Sequence, residues 1–347
     1  MMVREIDWNE FRTQRLLLPV VDVRSEQEFE EGHIPQALNI PILNNEERKA
    51  VGTDYKQKGQ REAIRTGFKL VGPRIAQIVD EAERISLNKE LIVHCWRGGM
   101  RSSNFSQFVG MAGIKSQVLK GGYKTYRQKA HDYFKRPYKI ILISGCTGSG
   151  KSEVLRTLRE QGEQVVDLEG IANHKGSAFG GLMMPPQPTT EQFENILFEQ
   201  LQEIDISRPV WVEDESIAVG KIFLPSDFWN NMRQSPVALL NVNKPTRVKR
   251  LVNEYGHADP EEFLNSMVKI TKKLGGQHFK SAKEKLEEGD MTTVMEILLT
   301  YYDKAYLGSL DKRKPETVGE VNWNGTDPIV AAKQLVEISK HRVKANS

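Results

Sequence analysis

The first residues able to do chemistry surround one of only two cysteines. Cys95 ends an apolar stretch and opens a Cys-x5-Arg loop that contains Arg97, two glycines and Arg101. Glycines let successive backbone N–H groups turn towards one point, and a helix beginning near Met100 adds its positive end. Such surroundings bind anions and favour the thiolate form of cysteine. We therefore predict a catalytic site of Cys95, Arg97 and Arg101, with the arginines holding an oxyanion; a buried structural cysteine is the alternative.

The second candidate is a phosphate loop, residues 145–152, which reads Gly-Cys-Thr-Gly-Ser-Gly-Lys-Ser. It follows an apolar strand and precedes a helix, which is the context that the motif G-x-x-x-x-G-K-S requires. Its backbone amides cradle phosphates, its lysine reaches the outer ones, and its last serine is placed for Mg²⁺. Cys146 occupies a free position of the motif and is predicted to be inert. The predicted phosphate ligands are Gly145, Gly148, Ser149, Gly150, Lys151 and Ser152.

Further polar residues follow the strands of the second half. Two aspartates each come after a short apolar strand and are candidates for ordering Mg²⁺, although a solvated strand end explains each of them equally well. A long glycine-rich loop follows the first aspartate, and loops of that length in compact domains are usually functional. A later arginine begins a basic helix that is expected to clamp phosphate, with a solvated basic face as the alternative. These candidates are Asp167, Asp214, His174, Lys175, Ser177 and Arg247.

Alternating strands and helices must position both loops. Short apolar strands precede the cysteine and the phosphate loop, and this alternation predicts an α/β fold with mainly parallel sheets. A break at Pro137 divides the chain into domains at 12–136 and 137–347. The predicted strands are Leu16–Val23, Leu91–His94, Ile140–Ser144, Val165–Asp167, Pro209–Val212 and Val237–Val242. The predicted helices are a short one after Ser25, then 60–85, Thr190–Ile206, Pro245–Tyr255 and Pro260–Leu274, the last capped by Asp259.

Composition narrows the class of protein. The 347 residues carry a net charge of +3, with 39% hydrophobic and 27% charged side chains, which is typical of a globular protein. Two cysteines rule out a disulfide framework and favour the reducing cytoplasm. No apolar run reaches the roughly 18–20 residues of a membrane span, and residues 1–15 lack the apolar core of a signal peptide. We expect a cytoplasmic protein without a membrane partner.

Motifs of the first half resemble the rhodanese family over residues 12–135. The resemblance is carried by segments 22–25, 28–29, 32–41, 94–95 and 120–123, which include the turn Gly-His-Ile-Pro. It implies a rhodanese fold in which the loop cysteine carries a transferable chalcogen, while Asp22 and His33 hold the fold. The loop is one residue longer than in typical sulfur-transferring members and is similar to that of dual-specificity phosphatases. A wider loop suits a tetrahedral oxyanion or a larger atom than sulfur.

The whole chain, residues 12–340, resembles the bacterial tRNA 2-selenouridine synthase family. The order of the two domains and segments 167–170, 174–180 and 192–195 carry this resemblance. It implies modification of the wobble 2-thiouridine in the tRNA anticodon loop. The sulfur is first alkylated by geranyl diphosphate, held by the phosphate loop, and selenium from selenophosphate then replaces it. Cys95 is expected to accept selenium as a selenosulfide or otherwise to deliver it. No tightly bound cofactor is implied, and a need for Mg²⁺ stays open.

The predicted tRNA surface is a basic segment at 115–139. It holds eight cations and one acid, with five aromatic residues between them; cations meet phosphates, and exposed rings stack on bases. The alternative is that it forms the closing strand and turn of the rhodanese fold. Candidates for contacting the geranyl chain, with core packing as the alternative, are Phe179, Leu182, Met183, Met184, Phe193, Leu197 and Phe198.

Two other classes of protein remain alternatives. An ATP- or GTP-dependent tRNA sulfurtransferase or kinase would use the phosphate loop for a nucleotide. A phosphatase-like or regulatory binding module would instead be built on the Cys-x5-Arg loop.

Overall fold

The chain forms two compact units, the first ending at Tyr133 and the second beginning at Phe134. They are seen in a computed structural model that describes residues 3–313 and 316–345. Each unit is built on a five-stranded parallel sheet with helices between its strands. The predicted fold class, α/β with mainly parallel sheets, is confirmed. The sequence placed the division at Pro137, four residues after the end of the first unit.

The first unit has the strand order β1-β5-β4-β2-β3. Its strands are β1 (Arg4–Ile6), β2 (Val20–Asp22), β3 (Leu38–Asn39), β4 (Glu90–His94) and β5 (Lys115–Leu119). Its helices are α1 (Trp8–Gln14), α2 (Glu26–Glu31), α3 (Asn45–Lys58), α4 (Gln60–Val71), α5 (Ile75–Ile85), α6 (Met100–Met111) and α7 (Gly122–Phe134), with a 3-10 turn at Gly72–Arg74. The central strand β4 is fully buried from Leu91 to Val93. Cys95, the residue after β4, therefore lies at the edge of the sheet where ligands of parallel sheets bind.

Two predictions for this unit are corrected. The strand expected at Leu16–Val23 is confined to β2, because the backbone N–H groups of Leu17 and Leu18 bond to Gln14 at the end of α1. The helix expected over 60–85 is divided at Gly72–Arg74, where a proline, which has no N–H, interrupts the helical hydrogen bonds.

The second unit has the strand order β12-β11-β6-β8-β7. Its strands are β6 (Lys139–Ser144), β7 (Gln164–Val166), β8 (Pro209–Glu213), β11 (Val237–Asn241) and β12 (Thr317–Asn322), beside a separate hairpin of β9 (Ala218–Val219) and β10 (Ile222–Phe223). Its helices are α8 (Lys151–Glu160), α9 (Leu168–Ala172), α10 (Thr190–Gln202), α11 (Ser226–Gln234), α12 (Lys244–Tyr255), α13 (Pro260–Lys269), α14 (Thr271–Leu274), α15 (Gly276–Glu287), α16 (Met291–Arg313) and α17 (Pro328–Ala345).

The described residues of this unit form two apolar cores. One packs α8 and α17 against the sheet around Trp211, and the other joins α12, α13, α15 and α16 around Phe263 and Leu298. The helix predicted at 260–274 ends at Lys269 and resumes as α14. Its predicted cap is confirmed, since Asp259 accepts the N–H groups of Glu261 and Glu262. Among the described residues, no helix is long and apolar enough to span a membrane.

Candidate functional site

The cysteine loop, residues 95–101, leaves the carboxyl end of β4 and enters α6. Cys95 is only 3% exposed. Its Sγ accepts the backbone N–H of Gly99 at 3.3 Å and lies 3.4 Å from the Ser102 hydroxyl oxygen. Burial alone would raise the pKa of the thiol, but hydrogen bonds from Ser102 and from the N–H groups of Arg97 and Gly99 outweigh it, so the pKa is lowered. The loop therefore stabilises a thiolate, as the sequence predicted.

Two glycines let this loop pack directly on the turn before α7. Gly98 and Gly122 have φ values of +65° and +59°. A Cβ on Gly98 would come within 2.8 Å of the Leu119 carbonyl oxygen, and one on Gly122 within 2.3 Å of the Cys95 carbonyl oxygen. The N–H of Tyr123 also donates to that Cys95 oxygen at 2.8 Å. The Lys-Gly-Gly-Tyr motif is thus part of the loop's support.

The two arginines of the loop have different surroundings. Arg101 donates to the Glu28 carboxylate at 2.6 Å, whereas Arg97 lies exposed on the loop. Burial would raise the pKa of Glu28, but Arg101, the Ser25 N–H and Arg48 lower it to about 2. Glu28 is therefore ionised and engages Arg101. That both arginines hold an oxyanion stays a prediction, and Arg101 would do so while sharing its charge with Glu28.

A buried polar network lies beside the loop. Asp22 and Arg24 are almost fully buried and joined by hydrogen bonds as short as 2.6 Å, and the Arg24 guanidinium lies 3.9 Å from the ring centre of Tyr123. His94, the residue before the cysteine, is buried with its Nε2 3.8 Å from Asp22. His33 donates its Nδ1–H to the Phe29 carbonyl oxygen at 2.9 Å, and its ring stacks on the Phe29 ring. These contacts support the structural roles expected for Asp22 and His33.

The prediction that aromatic rings of residues 115–139 stack on tRNA bases is wrong. Tyr123 and Tyr126 are fully buried and the other three rings are nearly so, because they pack in the interior instead of facing solvent. These rings therefore cannot stack on splayed bases. The buried aromatic residues are Tyr123, Tyr126, Tyr133, Phe134 and Tyr138. Exposed cations remain at Lys115, Lys120, Lys124, Lys135 and Lys139.

The phosphate loop leaves the central strand β6 and enters α8. Gly148 and Gly150 have φ values of +80° and +82°, and a Cβ on Gly150 would come within 2.6 Å of Arg250. The Lys151 ammonium donates to the Gly145 carbonyl oxygen at 3.1 Å and thus lies folded over the loop. This backbone course presents amide groups and the start of α8 to an anion.

The loop opens onto a cavity of about 1180 Å³ within the second unit. Five of the six predicted phosphate ligands line it; the Ser149 side chain is fully buried and does not. Of the other candidates, Asp167, Asp214, Lys175 and Ser177 also line this cavity. Most of the residues that the sequence predicted for this unit therefore lie at one site.

Two candidates lie outside the cavity lining. Arg247 is only 5% exposed. Its two terminal nitrogens donate to the two carboxylate oxygens of Asp303 at 2.7 and 2.8 Å, and one of them also donates to the Thr147 carbonyl oxygen at 3.2 Å. It therefore braces the phosphate loop, while its role as a phosphate clamp stays a prediction. His174 is buried beside Gly180 and Gly220, and burial lowers its pKa.

The structure adds the carboxylates of Glu169, Glu213 and Glu215 to the Asp214 candidate of the sequence. Glu169 accepts the Ser152 hydroxyl at 2.6 Å, and Asp214 accepts that of Ser144 at 2.7 Å. Burial and then the charge of Glu169 raise the pKa of Glu215 to about 8. The buried Glu213 accepts the Leu168 N–H, and its pKa is raised mainly by burial. The acid-rich end of β8 was visible in the sequence, but only packing shows which carboxylates meet the loop.

These groups fit an optional Mg²⁺ bound together with a diphosphate. Mg²⁺ takes one or two protein carboxylates and completes its shell with water and phosphate oxygens. Ser152, Glu169 and Asp214 are the residues that would hold it. The described part of the chain contains no group of three or more His, Cys, Asp or Glu side chains arranged to bind a metal on their own.

Sequence comparisons agree with this two-part layout. The family model of the rhodanese-like domain matches residues 7–129, and the model of the tRNA 2-selenouridine synthase AAA domain matches residues 138–334. Three relatives are each named tRNA 2-selenouridine synthase. The protein from Nitrosomonas europaea is 33% identical, over 85% of this chain and 90% of its own. That from Nitrosomonas eutropha is 32% identical, over 85% and 89%. That from Shewanella sediminis is 36% identical, over 86% and 90%. The chain thus belongs to the tRNA 2-selenouridine synthase family.

Proposed function

We propose that this chain converts the wobble 2-thiouridine of tRNA into 2-selenouridine through a geranylated intermediate. The observation that carries the proposal is the presence, in one chain, of two different anion-binding loops. One holds a thiol whose pKa is lowered, and the other lies in a large cavity. The names of the relatives support tRNA as the substrate and selenium as the element introduced.

The first step alkylates sulfur in the phosphate-loop cavity. The C1–O bond of geranyl diphosphate breaks, and its electron pair leaves with pyrophosphate. Sulfur of the thiouridine bonds to C1, and the base loses its N3 proton. Charge develops on the leaving oxygen, where Lys151, the loop amides and the start of α8 stabilise it. Alkylation makes the sulfur a leaving group for the second step.

The second step exchanges sulfur for selenium and is assigned to the cysteine loop. Selenium of selenophosphate attacks C2 of the base, the C2–S bond breaks, and geranyl thiol leaves after taking a proton. Selenium keeps its oxidation state, so no oxidant is needed. A selenosulfide on Cys95 would instead require removal of two electrons from selenium. We therefore assign Cys95 to the phosphorus end of the donor, where its thiolate accepts the phosphoryl group as the P–Se bond breaks. N3 of the base then regains a proton from solvent, and water later releases phosphate from the cysteine.

Nucleoside mass analysis tests this function. Purified protein is incubated with 2-thiolated tRNA and geranyl diphosphate, with and without selenophosphate. We expect geranylated thiouridine in the reaction without selenophosphate and 2-selenouridine in the reaction with it. Unchanged 2-thiouridine in both reactions would contradict the proposal. Turnover of ATP or GTP that requires tRNA and Lys151 would favour the nucleotide-dependent sulfurtransferase or kinase instead.

A further inference from the structure

One face of α16 carries an apolar stripe that begins inside a protein core. Val294, Met295, Leu298 and Leu299 are each at most 3% exposed and belong to the core formed with α12, α13 and α15. Their spacing of three and four residues places them on a single face of the helix. This half of the stripe needs no partner outside the unit.

The same spacing continues beyond that core and enters the phosphate-loop cavity. The next members of the stripe all line the cavity: Tyr302, Ala305, Tyr306, Ser309 and Leu310. Of these, Tyr302 also packs against the neighbouring core. We name these five side chains the α16 stripe. Apart from the Ser309 hydroxyl, they present aromatic and aliphatic surface to whatever occupies the cavity.

Tyr306, in the middle of the α16 stripe, lies beside the phosphate loop. The Tyr306 hydroxyl lies 3.2 Å from Oγ of Ser144, the last residue of β6 before that loop. Leu310 lies one helical turn farther along. From Tyr302 to Leu310 the helix rises about 12 Å, and from Tyr306 to Leu310 about 6 Å, so a ten-carbon chain that starts beside Tyr306 can reach Leu310. If the phosphate loop binds the diphosphate of a molecule, the substituent on that diphosphate would therefore contact the α16 stripe.

The remaining lining is mixed, with charged side chains such as Lys175, Glu215 and Arg233 beside apolar ones. Met184, Leu251, Tyr255 and Trp229 contribute further apolar surface to the same cavity. Tyrosine hydroxyls of this lining are engaged by protein, since Tyr302 accepts the Ala178 N–H at 3.2 Å and burial raises the pKa of both Tyr255 and Tyr302. This apolar part of the lining suits a hydrocarbon better than a nucleobase, whose polar edge needs hydrogen-bonding groups that face it.

We infer that the α16 stripe is the prenyl subsite, where the geranyl chain of the diphosphate lies with Leu310 against its distal part. The inference rests on the proposed function and adds the residues that select a prenyl group. Of the seven residues that the sequence offered for contacting the geranyl chain, only Met184 lines the cavity. Phe179, Leu182, Phe193 and Leu197, by contrast, are buried in the interior.

The test compares the affinities of diphosphates with and without a hydrocarbon. Isothermal titration calorimetry measures dissociation constants for geranyl diphosphate, inorganic pyrophosphate, ADP and GDP on the full chain. The variant is Leu310→Ser, and the matched control is Leu307→Ser on the same helix, where Leu307 is 55% exposed and outside the lining. We expect Leu310→Ser to weaken geranyl diphosphate about tenfold, because apolar contact is lost. Pyrophosphate binding should be unchanged, and Leu307→Ser should behave as wild type.

The remaining outcomes separate this inference from the proposed function. If wild type prefers geranyl diphosphate to pyrophosphate but Leu310→Ser keeps that preference, the subsite is wrong while the function stands. If Leu310→Ser loses the preference but wild type does not geranylate tRNA, the subsite stands and the function is wrong. Equal weakening of pyrophosphate, or tighter binding of ADP or GDP than of geranyl diphosphate by wild type, would overturn the subsite.

Discussion

The two cysteines of this chain lie at nearly equivalent places, each at the carboxyl end of a central parallel strand, yet their thiols differ. Sγ of Cys95 receives hydrogen bonds from Ser102 and from loop N–H groups, which lower its pKa despite burial. For Cys146, burial raises the pKa and the nearby Asp303 raises it further. Donors around sulfur stabilise a thiolate, whereas a carboxylate opposes it. Both cysteines therefore lie in a strand-to-helix turn, and the groups that face each sulfur decide how reactive its thiol is.

The loops around these cysteines also differ in the room they leave. The cysteine loop packs so closely on the turn before α7 that Gly98 and Gly122 have no space for a side chain. The phosphate loop instead faces the cavity of about 1180 Å³. The lengthened cysteine loop, fixed by this packing, fits the small tetrahedral phosphate end of a donor, and the phosphate loop with its cavity fits a diphosphate with a long substituent. The difference matches the two steps of the proposed function.

The largest effect is expected from replacing the thiols one at a time. Cys95→Ser should lower 2-selenouridine formation by about a thousandfold, because a neutral hydroxyl replaces the thiolate nucleophile. Geranylation should continue. Cys146→Ser is the matched control and should stay within about twofold of wild type in both steps. Mass analysis of tRNA nucleosides measures both products. A loss of selenation in Cys146→Ser as large as in Cys95→Ser would remove the distinction between the thiols.

A second effect concerns the close packing of the cysteine loop. Gly122→Ala should destabilise the first unit by about 3 kcal/mol, because its new Cβ meets the Cys95 carbonyl oxygen at a left-handed backbone position. Gly113→Ala is the control, since its φ of +82° is also left-handed but nothing lies within 4 Å; it should cost about 1 kcal/mol.

Hydrogen exchange of the β4 amides in the full chain reports this local stability. We expect much faster exchange in Gly122→Ala than in Gly113→Ala. Equal exchange in the two variants would show that contact with the loop contributes nothing beyond backbone strain.

Part of this arrangement could be predicted from sequence and part could not. The phosphate loop follows from one continuous motif, and the cysteine loop from the strand, the glycines and the arginines around it. The partners of Arg101 and Arg247 could not be predicted, because Glu28 and Asp303 lie 73 and 56 residues away along the chain. Similarly, α3 has no buried residue and therefore no apolar periodicity to reveal it. The α16 stripe belongs to no motif and gains meaning only beside the cavity.

The smallest predicted effect tests the thiolate itself. Ser102→Ala removes a hydrogen bond to Sγ, so the pKa of Cys95 should rise towards its usual value. At neutral pH less thiolate would be present, and the acidic limb of the selenation rate profile should move to higher pH with a severalfold lower rate at pH 7. Ultraviolet absorbance of the thiolate, measured in a Cys146→Ser background, reports the titration. An unchanged titration would mean that the backbone N–H groups alone hold the thiolate.

The most direct measurement of two separable sites uses tRNA that already carries the geranyl group. Cys95→Ser protein first prepares geranylated tRNA, which is purified and given to Lys151→Ala protein with selenophosphate. Lys151→Ala should fail to geranylate 2-thiolated tRNA, because the departing pyrophosphate loses its cation. It should nevertheless convert the geranylated tRNA to 2-selenouridine at a rate near that of wild type. No 2-selenouridine from the geranylated tRNA would contradict the assignment of the two steps to two different loops.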